Sequence, residues 1–403
     1  MDRRTKVRAA PVAAAVLLLA AACGGSDSTS SASGSGGAAA APPSMAAAGS
    51  VGTGEGQLNI IAWAGYAEDG SNDTTVDWVT PFEQQTGCQV NVKIGNTSDE
   101  MVTLMKTGQY DGVSASGDAT LRLIYSGDVA PVNTSLVPDY ATVAEFLKNR
   151  PWNSVNGQMY GIPHGWGANV LAWRTDKVSP PPDTWGSVFD ADSPYKGKIT
   201  AYDSPIYIAD AALYLKATKP DLKITNPYEL DDTQFQATVD LLKQQRALVG
   251  EYWSDYTKAV QALESGDTVL GTQWQVNVNL VNGGSKAKVD AVVPKEGSTG
   301  WSDTWMVSSK AKHPNCMYKW MNHIISPKAN AEVAEWFGEA PANSKSCGLT
   351  ADPNHCKIYH ADDEAYFDKV AYWTTPISDC GDGRGQVCKD YSEWTRAWTE
   401  IKG

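Results

Sequence analysis

Two large aromatic residues, Trp63 and Tyr66, directly follow a short apolar run and are the first candidates for binding chemistry. The run, residues 58–61, is flanked by turn residues and predicts a buried β-strand. In an open α/β sheet, ligands bind at the carboxyl ends of the strands. Aromatic faces attract cations, but large aromatic residues also close the ends of a core. The run alone therefore leaves both interpretations of Trp63 and Tyr66 open.

The elements that would position these residues alternate between strands and helices. The first set has strands at 58–61, 89–94 and 110–116, with helices at 73–87, 97–108 and 118–127. The second set has strands at 170–174, 199–202, 268–273, 288–293 and 305–308, with helices at 232–248, 258–264, 314–325 and 327–337. This spacing indicates βαβ units and a mostly parallel sheet.

Two irregular stretches qualify this pattern. Pro81 falls inside the first predicted helix, so it is expected to kink that helix or to mark its start. Residues 160–167, YGIPHGWG, are predicted to form a glycine-punctuated crossing rather than a regular element, and His164 there favours a hinge or packing role. Two α/β sets joined by crossings predict two lobes, and ligand pockets favour the cleft between such lobes.

The N-terminus has the features of an export signal. Basic residues at 3, 4, 6 and 8 precede an apolar run at 11–22, which is too short to span a bilayer but fits a secretory signal peptide. Small residues directly before Cys23 are similar to a bacterial lipobox, which predicts a signal peptide at 1–22 and lipidation of Cys23. The alternative is an ordinary cleaved signal in which Cys23 has no role.

Residues 23–57 are predicted to tether the folded part to that anchor. The stretch is nearly all Gly, Ser, Ala and Pro, and it lacks the apolar residues needed to offset chain ordering. Beyond the run at 11–22, which is itself too short, the sequence has no apolar run long enough for a membrane span. The protein is therefore expected on the outer face of the cytoplasmic membrane, exported and lipid-anchored.

The cysteine count agrees with export. Besides Cys23 there are six cysteines, and an even number in an exported chain suggests disulfides. Proximity in sequence favours the pairs Cys347–Cys356 and Cys380–Cys388, which would leave Cys88–Cys316. Cys347 and Cys356 with His355 and His360 could also mimic a zinc site, but a disulfide is favoured, so no metal is predicted.

Charge and motifs exclude several functions. Removal of residues 1–22, which carry four basic and one acidic side chain, would change the formal net charge from −13 to −16. An acidic surface of this kind argues against nucleic-acid binding and favours cationic partners.

The folded region has no nucleophile elbow and no metalloprotease motif, and Gly52, Gly54 and Gly56 lie before a strand, the wrong place for phosphate binding. Neither catalysis nor a cofactor is predicted.

Five segments carry a resemblance to a known family. They are IAWAGY, YGIPHGWGAN, SPYKGKIT, ALESGDTVLGTQW and TGWSDTW. Their order and spacing resemble those of the extracellular solute-binding proteins of bacterial ABC importers, and most closely the polyamine (spermidine/putrescine)-binding type, over residues 58–343. The resemblance implies an α/β, two-lobed flytrap fold of the periplasmic-binding-protein class, with mixed, mostly parallel sheets and a crossover hinge.

The resemblance also implies domain limits and partners. Lobe I would comprise residues 58–163 and 305–343, and lobe II residues 164–304 and 344–403. The ligand would be a small cationic amine, the protein partners would be the permease subunits of an ABC transporter, and the chain would act as a monomer. The energy for transport would come from a separate ATPase, because this chain has no Walker motif.

Residue by residue, the family's binding positions fall on aromatic, hydroxyl and acidic side chains. The implied ligand-binding residues are Trp63, Tyr66, Ser116, Asp118, Asp203, Trp274, Trp301, Asp303 and Glu339. Asp118 and Glu339 stand where polyamine binders have tyrosines, and Asp203 stands near an acidic pair of which at least one member is missing. Asp118 could instead cap a helix, Asp203 and Asp303 could stabilise turns, and Glu339 could be a solvated loop charge.

The physics of such a site does not depend on the family. An ammonium group that leaves water needs paired charge and aromatic faces in place of its hydration. Each well-placed aromatic face contributes about 0.5–2 kcal/mol to a bound cation, and a carboxylate adds charge-assisted hydrogen bonds. The remaining alternatives are an importer for a betaine, opine, amino-acid derivative or sugar, and an exported enzyme or adhesion domain that uses the same cleft.

Overall fold

A computed structural model describes residues 41–381 and 384–403 of the chain. The predicted signal peptide and Cys23 lie outside these residues. Within the described part, no helix combines the length and the apolar character that crossing a membrane requires.

Strands and helices alternate through most of the described chain. The strands are β1 Gln57–Ala62, β2 Gln89–Ile94, β3 Gly112–Ala115, β4 Ser154–Val155, β5 Gln158–Met159, β6 Ile162–Arg174, β7 Ile199–Tyr202, β8 Val249–Trp253, β9 Leu270–Trp274, β10 Val289–Val292, β11 Ser298–Val307, β12 Ala340–Pro341 and β13 Val370–Tyr372. The α-helices are α1 Val79–Thr86, α2 Ser98–Lys106, α3 Gly117–Tyr125, α4 Gly186–Phe189, α5 Ile208–Thr218, α6 Asp232–Gln245, α7 Tyr256–Ser265, α8 Gln275–Gly283, α9 Pro314–Ile324, α10 Pro327–Phe337, α11 His355–Ile358, α12 Glu364–Phe367 and α13 Tyr391–Lys402.

One mixed sheet runs through the molecule in the order β2-β1-β3-β11-β6-β9-β7-β8. The outer strands pair in parallel, β1 with β2 and β3, and β7 with β8 and β9. The two central strands, β6 and β11, run antiparallel to each other and to their neighbours β9 and β3. Each parallel set is thus a separate α/β half, and the long strands β6 and β11 cross between the halves, as the two-lobed fold requires.

The segment predicted as an irregular crossing is a regular strand. Residues 160–167 were predicted to form a glycine-punctuated crossing without regular structure, yet residues 162–167 belong to β6, which runs without interruption from Ile162 to Arg174. Its glycines are tolerated because β6 is hydrogen-bonded on both edges, to β11 and then β10 on one and to β12 and then β9 on the other. Pairing on both edges compensates for the weak strand preference of glycine.

The first helix starts later than residue 73, where it was predicted to begin. α1 begins at Val79, so Pro81 lies in its first turn, where a missing backbone N–H costs nothing. Asp73 instead accepts a hydrogen bond from the Thr75 backbone N–H within a turn. Gly87 closes the helix in the left-handed conformation, with φ of 71°, as predicted.

The last part of the predicted tether is held against the protein. The Asn133 side chain donates to the Ala48 carbonyl, the Gly52 N–H donates to Asn315, and the Glu55 carboxylate accepts from the N–H of Asn315 and of Cys316. The prediction of a flexible tether extending to residue 57 is therefore wrong for residues 48–56. Composition could not reveal these bonds, because their partners lie far away in sequence.

The C-terminal tail contributes to two of the hydrophobic cores. Phe367, Val370 and Tyr372 pack into the core that includes β1. Trp394 and Trp398 of α13 pack into the core that includes β7. Between them, β13 pairs in parallel with β11, so the tail is a third segment that passes between the halves.

The three disulfides proposed from proximity are confirmed. Cys88 bonds Cys316, Cys347 bonds Cys356, and Cys380 bonds Cys388. The first joins two segments 228 residues apart, so it fixes the start of β2 to α9, while the other two close short loops of the tail. Cys347 and Cys356 are thereby removed as zinc ligands.

Candidate ligand-binding site

A cavity of about 230 Å³ opens where strands from both halves end. Trp63 follows β1, Ser116 follows β3, and Tyr202 and Trp274 are the last residues of β7 and β9. The carboxyl ends of the parallel strands meet here, as is typical of ligand sites in α/β sheets. The residues that line the cavity are Trp63, Ala64, Gly95, Asn96, Thr97, Ser116, Tyr202, Ser254, Asp255, Tyr256, Trp274, Trp301, Asp303, Phe337 and Trp373.

The crossing strand β11 supplies two further side chains to the cavity. Trp301 and Asp303 are two residues apart, so both point to the same face of the sheet. Opposite them on β6 stand Gly167 and Gly165. A Cβ on Gly167 would lie 2.8 Å from the Trp301 ring, so glycine leaves the space that this ring occupies.

Asp303 lies at the floor of the cavity and is held by two hydroxyl groups. The Ser116 Oγ donates to its Oδ1 at 2.6 Å, and the Tyr66 Oη lies 2.8 Å from its Oδ2. Only 3% of Asp303 is exposed. Burial raises the pKa of Asp303 to about 6, because the ionised form has lost water that the two hydroxyls replace only in part. The structure provides no protein cation for this carboxylate among the described residues.

A second carboxyl group lies behind Asp303. Glu339, immediately before β12, is fully buried, and its Oε2 lies 2.8 Å from the same Tyr66 hydroxyl. Burial, followed by the negative charge of Asp303, raises the pKa of Glu339 well above its ordinary value. A Cβ on Gly165 would lie 2.0 Å from the Glu339 carboxyl carbon, so only glycine leaves room for this carboxyl.

Aromatic rings form most of the remaining wall. The Trp274 ring packs against Trp301 at 6.2 Å and Tyr202 at 5.6 Å between centroids, and Tyr202 stacks on Trp373 at 5.5 Å. The Trp274 Nε1 donates to Asn169 Oδ1 at 3.0 Å, which fixes the orientation of the indole. Each of these side chains is thus set by its neighbours before any ligand arrives.

The charges around the cavity favour a cation. Its lining residues, all in the described part of the chain, include the carboxylates Asp303 and Asp255 but no Lys, Arg or His. Asp303 is buried, whereas Asp255 is exposed at the rim, where it caps α7 by accepting from the Thr257 N–H. A buried carboxylate beside aromatic faces can replace the hydration of an ammonium group.

The sequence of residues 77–355 matches the family described as bacterial extracellular solute-binding protein. This chain belongs to that family. The match covers Ser116, Trp274, Trp301 and Asp303, and it begins after Trp63. Members of the family act outside the cytoplasm, so this is an extracellular or periplasmic solute-binding protein.

Individual relatives agree with this assignment. The putrescine/cadaverine-binding protein of Pseudomonas aeruginosa is 22% identical over 318 residues, which cover 74% of this chain and 83% of the relative. The spermidine/putrescine-binding periplasmic protein of Escherichia coli is 25% identical over 300 residues, 72% of this chain and 82% of the relative. The structure of the Tp0655 (TpPotD) lipoprotein of Treponema pallidum matches with a TM-score of 0.68 and 16% sequence identity, over 86% of this chain and 99% of that protein. The structural likeness shows the two-lobed fold.

Of the nine side chains implied as ligand contacts, five line the cavity of this solute-binding protein. They are Trp63, Ser116, Trp274, Trp301 and Asp303. Tyr66 and Glu339 lie directly behind Asp303, bonded to it or to each other. The geometry thus brings seven of the nine into one connected group.

Asp118 and Asp203 lie outside this group. Asp118, the second residue of α3, is buried and accepts from the Ser98 Oγ at 2.9 Å. Asp203 follows β7 but faces the C-terminal helix, where it accepts from Lys402 Nζ at 2.7 Å and Trp398 Nε1 at 3.1 Å. The structure therefore gives both carboxylates a protein partner and places neither on the cavity surface.

Several lining residues were not predicted. Tyr202 ends a strand that was predicted at 199–202, so the argument applied to Trp63 could have found it. Phe337 ends α10, and Trp373 lies in the tail just after β13. Neither follows a strand of the parallel sets, and only tertiary packing brings them to the cavity.

Proposed function

We propose that this protein captures a small cationic amine of the polyamine type in the cavity and delivers it to the permease of an ABC transporter. The observation that carries the proposal is Asp303, a buried carboxylate on a cavity walled by aromatic rings and free of basic side chains among the described residues. An anionic ligand would meet electrostatic repulsion there, and a sugar would leave the carboxylate without a charged partner.

The energetics support an ammonium ligand. Its positive charge would form charge-assisted hydrogen bonds with Asp303, which are stronger than hydrogen bonds between neutral groups. The faces of Trp63, Trp274 and Trp301 would each add about 0.5–2 kcal/mol by cation–π attraction. Ser116 and Tyr66 hold Asp303 in place, so little ordering is needed when the ligand arrives.

The relatives support the same ligand class. The two described above are named for binding putrescine, with cadaverine in one and spermidine in the other. They are 22% and 25% identical to this chain, so the cavity residues and not the overall likeness must decide the ligand here.

The mode of action follows from the two-lobed fold. We place lobe I at residues 58–163 and 305–343 and lobe II at 164–304, with β6, β11 and β13 as the crossings around which the lobes close. The tail was expected to belong to lobe II, but its part up to Tyr372 packs into the core that includes β1, so we divide residues 344–403 between the two lobes. We further propose that Cys23 carries the lipid anchor after removal of residues 1–22, and that the monomer works at the outer face of the cytoplasmic membrane. It would bind and release its ligand without catalysis.

Calorimetric titration of the purified protein tests the proposal. We expect saturable binding of putrescine or spermidine, accompanied by a change in intrinsic Trp fluorescence because indole rings line the cavity. Choline, glycine betaine, amino acids and sugars serve as comparison ligands. Binding of a neutral sugar, with no binding of any organic cation, would overturn the proposal.

A further inference from the structure

The hydrogen bonds at Tyr66 require one more proton than Tyr66 itself carries. Its Oη lies 2.8 Å from Asp303 Oδ2 and 2.8 Å from Glu339 Oε2. A phenol has a single O–H, so it can donate to only one of these oxygens. The other contact is a hydrogen bond only if that carboxyl group is protonated and donates to the Tyr66 oxygen. Two ionised carboxylates at this distance from one hydroxyl would leave one repulsive contact in a buried site.

The surroundings identify which of the two carboxyls holds the proton. Asp303 accepts a second hydrogen bond, from Ser116 at 2.6 Å, and it borders the cavity, where a cation can reach it. Glu339 has neither advantage, since it is fully buried and its Oε1 has no hydrogen-bond partner among the described residues. The ionised form is therefore better stabilised at Asp303 and the neutral form at Glu339.

No neighbouring group offers Glu339 a positive charge. His164 Nδ1 lies 3.4 Å from its Oε1, but burial lowers the pKa of His164 to about 3, so this imidazole is neutral. His355 contacts only the backbone carbonyl of Glu339, and burial lowers its pKa as well. The other titratable groups that face Glu339 are Asp303, Tyr66 and Tyr359, whose charged forms are all negative.

We propose that Glu339 is a neutral acid that donates to Tyr66 and thereby directs the Tyr66 proton onto Asp303, so that the cavity floor carries one negative charge rather than two. The inference rests on the proposed function for its consequence, which concerns ligand selection. A floor with a single charge neutralises a single ammonium group. A second ammonium group of the same ligand would have to remain near the rim, where Asp255 is exposed.

Infrared spectroscopy of the ligand-free protein at neutral pH tests the protonation directly. Glu339→Gln keeps a neutral donor at this position but removes the carboxyl group. We expect wild type to show the C=O stretch of a protonated carboxylic acid that Glu339→Gln lacks. Glu145→Gln, at an exposed residue paired with Lys148, should leave that band unchanged. Burial also raises the pKa of Asp210, to about 8, but Asp210 is common to all three proteins and cancels in the differences.

Binding measurements with putrescine separate the directing role from simple packing. Glu339→Gln should keep the affinity within about threefold, because the amide still donates to Tyr66. Glu339→Leu fills similar space without a donor and should weaken binding by about tenfold, as should Tyr66→Phe. Thermal melting checks that each variant is folded.

Two results would overturn the inference. One is a difference spectrum between wild type and Glu339→Gln that contains no carboxylic-acid band, which would show that Glu339 is ionised. The other is a loss of affinity in Glu339→Gln as large as in Glu339→Leu. Failure of putrescine to bind wild type would instead count against the proposed function, since the infrared result does not depend on any ligand.

Discussion

Asp303 and Asp203 were assigned the same role from sequence, yet they lie in different environments. Asp303 borders the cavity and is held by the neutral hydroxyls of Ser116 and Tyr66, which leaves its charge available. Asp203 forms an ion pair with Lys402 and a hydrogen bond with Trp398, both on α13. A carboxylate that already has a protein cation is part of the scaffold, whereas one with only neutral donors can receive a cationic ligand.

The two halves of the molecule also bring different groups to the site. β3 and the loop after β1 bring the hydroxyls that hold Asp303, while β7 and β9 bring Tyr202 and Trp274. The first half thus supplies the hydroxyls that hold the buried charge of β11, and the second half adds two aromatic rings to those of Trp63 and Trp301. Closure of the lobes would bring the two contributions onto one ligand.

The largest effect is expected when the charge at the cavity floor is removed. Asp303→Asn preserves shape but leaves an ammonium group without its buried counter-charge, so we expect at least about 100-fold weaker putrescine binding, or roughly 2.7 kcal/mol. Calorimetry measures the loss. If Asp303→Asn binds as tightly as wild type, the floor of the cavity does not bind the cation.

Acidification should weaken binding through the same group. Burial raises the pKa of Asp303 to about 6, so its carboxylate gains a proton, and loses its charge, as the pH falls through that value. Affinity should be level above about pH 7 and should then fall by about tenfold per pH unit once Asp303 is mostly neutral. A calorimetric pH series on wild type and Asp303→Asn checks this, and an equal decline in both proteins would assign the effect to other groups.

Removal of one aromatic wall should have a smaller effect. Trp274→Ala deletes a face that Asn169 and Trp301 hold in position, so we expect about tenfold weaker binding, or roughly 1.4 kcal/mol. Trp336→Ala is the matched control, because Trp336 is 42% exposed and lies outside the cavity lining. Equal losses in the two variants would show that Trp274 acts on the fold and not on the ligand.

The smallest effect on affinity is expected at Asp203. Asp203→Asn should leave the affinity for putrescine within about twofold. It should lower the free energy of unfolding by about 1 kcal/mol, because the ion pair with Lys402 is partly exposed. Denaturant unfolding and calorimetry of the same preparation measure both quantities. A large loss of affinity with unchanged stability would restore Asp203 to the site.

Local patterns predicted many of the elements and Trp63, whereas the family resemblance implied Ser116, Trp274, Trp301 and Asp303. The strand at Gln89–Ile94 and the helix at Pro327–Phe337 have the predicted bounds, since period-two alternation and the Ser326–Pro327 start are local signals. Trp63, Ser116 and Trp274 line the cavity because they follow or end parallel strands, whose carboxyl ends meet there. Trp301 and Asp303 were predicted through the family resemblance, although the sequence also allowed Asp303 to stabilise a turn instead of binding ligand.

Long-range packing set the rest, which sequence could not reveal. Residue 203 is one position beyond the end of β7, and Lys402, some 200 residues later, draws its carboxylate away from the cavity. Trp373 reaches the cavity only because β13 pairs with β11. The glycines of β6 suggested a break, but hydrogen bonding on both edges keeps that strand continuous.

The central claim is that Asp303 and the aromatic wall replace the hydration of one ammonium group. A crystal structure of the protein with bound putrescine tests it most directly. The account predicts a ligand nitrogen about 2.7–2.9 Å from an Asp303 oxygen, with Trp274 and Trp301 against the ligand. Putrescine bound elsewhere, with Asp303 still contacting only Ser116 and Tyr66, would contradict it.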